Sequence, residues 1–250
     1  MSLDYGFAWM MVMLRSIGLV IQLPVIAGHP LPIPVRMGLC ACLATLLAGV
    51  VPAANTPPEA WALIVAVAME ILLGLALGFV ARMAFASVEM AGRVIATEIG
   101  LSASPGMGAP EPATEPLAAL LSTFAVVLFF LFGAHLSVLG AFARSFQLAA
   151  AGKGGLNPAA AESLMRATSL VLELGLRIAA PFIAMNFLIT LAFSILGRAV
   201  PKMNVFVVSF SARAVVGITL LSGAGALIAR YLFTEFGELS LRMLQLLPRK

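Results

Sequence analysis

Apolar residues run along this chain in stretches far longer than any strand, separated by short clusters of proline, glycine and charge. The stretches show no alternation with a period of two, and their length suits membrane-spanning helices. They fall at about 5–28, 37–51, 60–99, 117–150, 159–196 and 205–229. Pro30, Pro32 and Pro34 stiffen the first link into an extended segment. Pro52 ends the second stretch, and 53–58 is a proline-rich turn that opens the next helix at Glu59. From Ala60 to Ile99 there is no proline. A helix over that whole arm is ~60 Å long at a rise of about 1.5 Å per residue, roughly twice the thickness of a bilayer core. Its first half is lipid-grade. Its second half carries Arg82, Glu89, Arg93 and Glu98, so it reads as an amphipathic helix that needs a partner face. The stretch 117–143 has no formal charge, 151–158 is a loop, and Asn157 with Pro158 suits a cap and first turn for the next helix. That helix continues through Pro181, where a kink is expected.

Between the third and fourth arms lies 100–116, GLSASPGMGAPEPATEP. Gly100, Gly106 and Gly108 with Pro105, Pro110, Pro112 and Pro116 exclude a continuous helix there. Two readings stay open. One is a solvated surface loop. The other is a loop held in a protein-lined space, where irregular backbone at membrane depth is tolerated.

Composition narrows the class. Of 250 residues, 62% are hydrophobic and 10% charged, against roughly 25% charged in a soluble domain. The chain reads as a single integral membrane domain, polytopic and all-α. Its net charge of +4 is spread along the sequence, so no nucleic-acid patch is expected. No basic segment precedes the first apolar stretch, so no cleavable leader is expected. Cys40 and Cys42 lie two apart on one helix and point to different faces. With His29 and His135 isolated, no metal or cofactor site is expected, and His135 reads as a packed, hydrogen-bonded residue. One aspartate, Asp4, and no nucleophile–base motif argue against an enzyme.

The few charges inside apolar stretches carry more. Arg15 and Gln22 are seven apart and share one helical face. A charge at the bilayer centre costs at least ~2.5–3.5 kcal/mol, so it faces protein or water. Glu70, Gly74 and Gly78 recur every four residues, a small-residue stripe headed by a carboxylate that favours close helix packing. Glu173 and Arg177 are also four apart. Arg15, Glu70, Glu173 and Arg177 are expected to face other subunits or each other. Loop charge orients nothing. Arg144, Lys153, Arg166, Arg177, Arg230, Arg242, Arg249 and Lys250 fall on one side of a six-span count, and Arg36, Arg82, Arg93, Arg198, Lys202 and Arg213 on the other.

Residues 197–217, GRAVPKMNVFVVSFSARAVVG, are more specific. Arg198-Ala-Val-Pro201, then Asn204-Val-Phe206 and Val207-Val208-x-Phe210, resemble the signature of the FliR family of type III export-gate proteins. Arg15 with Pro24, Ile33-Pro34-x-Arg36 and Pro52 look like that family's N-terminal hairpin. Glu70, Gly74-Leu-Ala-Leu-Gly78-Phe79, Phe85, Ala91-Gly92 and Gly100-Leu101 are similar to its third arm. Phe132-Gly133-x-His135-Leu136, Ser145-Phe146 and Arg177-Ile-Ala-x-Pro181 extend the likeness, which covers about 7–230. Lys202 stands where the family commonly has Gln, and Ser211-Ala212-Arg213 where a Pro-Leu-Lys type sequence is usual.

The resemblance implies helical hairpins arranged as if one FliP and one FliQ were joined, rather than a simple six-span bundle. It implies a gate subunit in the bacterial inner membrane at the flagellar basal body, assembled with several FliP and FliQ copies, with FlhB and FlhA around it, passing unfolded flagellar proteins. It also implies a loop that enters the lumen and blocks it, here about 102–116, with Ser104, Pro105, Gly106, Met107, Gly108 and Pro110 near its tip. The equivalent subunit of a virulence-type system is the alternative. A secondary transporter is a more distant one, since no repeat relates 1–116 to 117–250.

Overall fold

The structure, a computed structural model, describes residues 3–23, 32–51, 59–101, 116–200 and 204–248. Seven helices make up the described residues, with no strand among them: α1 Leu3–Gln22, α2 Ile33–Leu47, α3 Ala60–Ile99, α4 Pro116–Leu131, α5 Ala134–Leu148, α6 Ala160–Ala199 and α7 Val205–Leu244. Four of them, within α1, α3, α6 and α7, are long and apolar enough to cross a membrane. The chain is an all-α membrane protein.

Local chemistry explains the boundaries. α3 stays helical for 40 residues because nothing in it breaks the ladder. The expected single arm at 117–150 is instead two helices. Gly133 takes a φ of +68° between α4 and α5, a left-handed conformation that costs glycine little and other residues more. α6 carries Pro181 inside an unbroken helical run. Asn157 leads into α6 through its side chain, whose Oδ1 accepts the Ala159 N–H at 3.0 Å. α7 runs on past the apolar stretch at 205–229 to Leu244, through 235–242, where Arg242 pairs with Glu235 and Glu238.

The chain forms two compact units. Unit 1 comprises 1–84, 129–169 and 234–250, and unit 2 comprises 85–128 and 170–233. In unit 1, α1 and α2 form a hairpin tied by Trp9 Nε1 donating to Thr45 Oγ1 at 3.2 Å. α1 also lies directly on the first half of α3. A Cβ on Gly74 would sit 2.1 Å from the Arg15 carbonyl oxygen, and one on Gly18 would sit 2.6 Å from the Leu75 nitrogen. Only glycines permit that approach of backbone to backbone. A small core of Leu73, Ala149 and Leu247 holds the loop after α5 against α3 and the end of α7.

In unit 2 the second half of α3 is the central element, which answers its need for a partner face. Gly92 abuts Ala118 of α4, Gly175 of α6 abuts Ser87 and Met90, and Gly217 of α7 abuts Ile99. Glu89 and Arg93 pair on its exposed side. Within the best spanning windows of α6 and α7, only 22% and 17% of residues are buried. Those helices therefore present most of their apolar surface outward, as a chain solvated by lipid or by neighbouring helices does.

Candidate functional site

Some of the charged residues gather in two places. The first is in unit 1, where the structure brings Arg15 and Glu70 together. Both side chains are fully buried. Arg15 Nε donates to Glu70 Oε2 at 2.6 Å and Nη2 donates to Oε1 at 3.0 Å, a side-on bidentate pair. Two of the three other N–H groups of Arg15 are also used. Nη1 bonds Ser145 Oγ at 2.9 Å, and Nη2 bonds the Ala149 carbonyl at 3.0 Å. The guanidinium carbon lies 3.9 Å from the centre of the Phe146 ring, a cation–π contact. Glu70 Oε1 additionally accepts the Gly152 N–H at 2.9 Å.

Removing two charges from water costs several kcal/mol per ion, offset only when the geometry is good and the spare hydrogen bonds are filled. Here most of them are filled, and by elements distant in sequence. Arg15 comes from α1, Glu70 from α3, and Ser145 and Phe146 from α5. Ala149 and Gly152 come from the loop that follows, where Gly152 has a φ of +82°. The pair thus fastens that loop to two helices. Gly74, one turn beyond Glu70, lets α1 come close enough for the arginine to reach. Gly78 extends the seam against Leu19 and Gln22. Gln22, on the same face of α1 as Arg15, accepts a hydrogen bond from Arg82 at 3.0 Å.

The second place is in unit 2, at the end of α3 that leads into the central loop. Gly100 has a φ of +83°, and Leu101 N–H bonds the Ala96 carbonyl at 2.8 Å, closing the helix with a left-handed cap. A Cβ on Gly100 would lie 2.9 Å from the Phe210 ring of α7. Just before the cap, the carboxylate of Glu98 accepts from the Asn186 amide of α6. Thr190, one turn on, donates to the Asn186 carbonyl and receives Arg213 Nη2 at 3.3 Å. Arg213 Nε is buried and has no partner among the described residues.

Other expected residues lie apart from these clusters. Glu173 and Arg177 pair with each other on α6 at 2.6 Å, both more than half exposed on this chain. Arg198 is exposed in the last turn of α6. Asn204 precedes α7, and its Oδ1 receives the Val207 N–H at 3.4 Å. Ser104, Pro105, Gly106, Met107, Gly108, Pro110 and Pro201 lie outside the described residues, as does the side chain of Phe206. His135 packs against the rings of Phe129 and Phe130, but its Nδ1 is buried without a hydrogen bond among the described residues, so the expectation of a hydrogen-bonded imidazole is corrected there.

Sequence reasoning missed Gly18, Ser145, Ala149 and Gly152 as parts of the ion-pair site, and Asn186 with Thr190 in the second cluster. Gly18 had a signal, lying three residues from Arg15 on the same face. The loop at 151–158 had none, because a glycine-rich loop reads the same whether solvated or clamped.

Comparison with known proteins shows the family of the chain. The family "Bacterial export proteins, family 1" matches residues 7–239. The chain is 30% identical over 240 residues to the flagellar biosynthetic protein FliR of Escherichia coli K12, covering 94% of this chain and 92% of the relative. It is 31% identical to the protein of the same name from Pectobacterium carotovorum, over 93% and 90% of the two chains. It is 28% identical to Yop proteins translocation protein T of Yersinia pestis, over 83% and 81%. A match across nearly the whole chain, together with relatives of similar length, means that this protein belongs to the bacterial export proteins, family 1.

Proposed function

We propose that this chain is the FliR-type subunit of the flagellar type III export gate in the bacterial inner membrane. In this reading it helps form the channel for unfolded flagellar proteins and plugs it with its central loop. The observation that carries the reading is the full-length likeness to proteins named for flagellar biosynthesis. The outward apolar surface of α6 and α7 supports a chain that is completed by unlike neighbours, and the resemblance names these as FliP and FliQ, with FlhB and FlhA around them. The clamped end of α3 supports the role of the loop, since a plug works only from a fixed base. The loop composition supports it too. Few large apolar groups are buried by such a segment, so little free energy opposes its displacement, and Met107 offers one adaptable side chain for a seal.

Deleting 104–112 tests the plug. Small-ion leak across the membrane should rise while the complex is still recovered, and unchanged leak with assembly intact rejects it. The likeness to the Yersinia translocation protein favours a second reading, the equivalent subunit of a virulence-type system. Restoring motility to a flagellar strain that lacks its own subunit separates the two. A transporter would be stable alone or as a homo-oligomer, whereas a gate subunit should bring unlike partners.

A further inference from the structure

A groove of about 350 Å³ runs between α5 and the end of α7 within unit 1. Leu136, Ser137, Gly140 and Arg144 line it from α5, and Ser240 and Leu244 from α7. Arg144 is exposed and pairs with no group among the described residues, unlike Arg15, Arg93, Arg166, Arg177 and Arg242, which all have carboxylate partners. The hydroxyls of Ser137 and Ser240 are also without partners among the described residues, whereas Thr45, Thr97 and Thr219 bond the carbonyl one turn back in their own helices. A Cβ added at Gly140 would meet nothing within 4 Å, so the groove is open at its middle.

The chain already contains a filled site of this kind. On α1, Arg15 stands one turn from Gly18; on α3, Glu70 stands one turn from Gly74, and the two glycines let the backbones touch while the charges pair. On α5, Arg144 stands one turn from Gly140, and among the described residues nothing fills the space before that glycine. We propose that this groove is the seat of a helix from a neighbouring subunit that carries a carboxylate about one turn from a small residue. The free guanidinium supplies the charge that recognises it. Ser137 and Ser240 supply hydrogen bonds along its length, and Gly140 lets its backbone approach. Three polar side chains, Ser137, Arg144 and Ser240, lie in the lining, which suits a helix that carries polar groups rather than the acyl chain of a lipid. The inference rests on the reading of the chain as a subunit of an assembly, and it is independent of the central loop.

A photoreactive benzoylphenylalanine placed at Gly140 in the full chain tests it, because that side chain enters open space. On illumination in cells it should attach to one segment of an unlike subunit, with a carboxylate within two turns of the attachment point. Arg144→Glu should lower the yield of that adduct at least tenfold, Arg144→Lys should retain most of it, and reversing the partner carboxylate to Arg should restore the yield in the Arg144→Glu chain. Complexes recovered normally but with attachment only to phospholipid, to a segment lacking a carboxylate, or to nothing overturn the inference alone, as does an adduct insensitive to Arg144→Glu. Recovery of the unmodified chain without any unlike subunit overturns both the inference and the assembly reading.

Discussion

Arg15 and Glu70 meet side-on, Nε to Oε2 and Nη2 to Oε1, with neither side chain reached by solvent. Among the described residues each is the other's only charged partner, and neutral groups around them take further hydrogen bonds. Removing one partner leaves an uncompensated charge in the interior. Arg15→Ala or Glu70→Ala should therefore lower stability by about 3–5 kcal/mol. The double variant Arg15→Leu/Glu70→Leu should lose less than the sum of the two. Thermal unfolding of the purified chain, read by circular dichroism, measures the cycle. Additive losses would mean that the two groups act independently.

The close contact of α1 and α3 makes Gly74 the position least tolerant of a methyl group. Gly74→Ala drives a Cβ to 2.1 Å from the Arg15 carbonyl oxygen, and both neighbours are backbone that must move. A loss of about 1–3 kcal/mol is expected for overpacking of this kind, together with weakening of the ion pair one turn away. Gly6→Ala, where a Cβ meets nothing, serves as the control. Equal melting temperatures for the two variants would contradict the packing described here.

At the end of α3, Gly100→Ala faces two costs. A non-glycine residue in the left-handed region loses about 1–2 kcal/mol, and the new Cβ presses on the Phe210 ring. Adding Phe210→Leu should recover only the steric part. Limited proteolysis of the central loop reports the result, since a loosened cap should speed cleavage within 102–115. Full recovery by Phe210→Leu would show that backbone strain contributes nothing.

Glu173 and Arg177 form an exposed pair, and exposed pairs one turn apart stabilise a helix by about 0.3–0.5 kcal/mol. Arg177→Ala should thus leave the melting of the chain alone almost unchanged. If this face of α6 packs on another subunit, the same substitution should reduce recovery of the whole complex several-fold. Equal recovery of complex by variant and parent would assign the pair to an open surface.

Much of this protein follows from its sequence alone. A stretch of 40 residues without proline has one low-energy conformation in an apolar setting, so α3 is legible, as is the all-α membrane class, whereas Pro34, expected in the extended first link, lies instead in the first turn of α2, where a proline fits because its missing N–H is unused. Glycines at 74 and 78 beside Glu70 announce a close helix contact, because the spacing is local and helical geometry is regular. The break at Gly133 was hidden, since one glycine inside an apolar run is compatible with an unbroken helix. Which helix meets which was not written in any local pattern. Arg15 could have faced any carboxylate in the chain or in a neighbour. Its choice of Glu70, the recruitment of Ser145 and Gly152 to complete the pair, and the open guanidinium of Arg144 were decided by tertiary packing. Only packing brings together residues more than a hundred positions apart, and only it determines which polar groups find their partners within the chain.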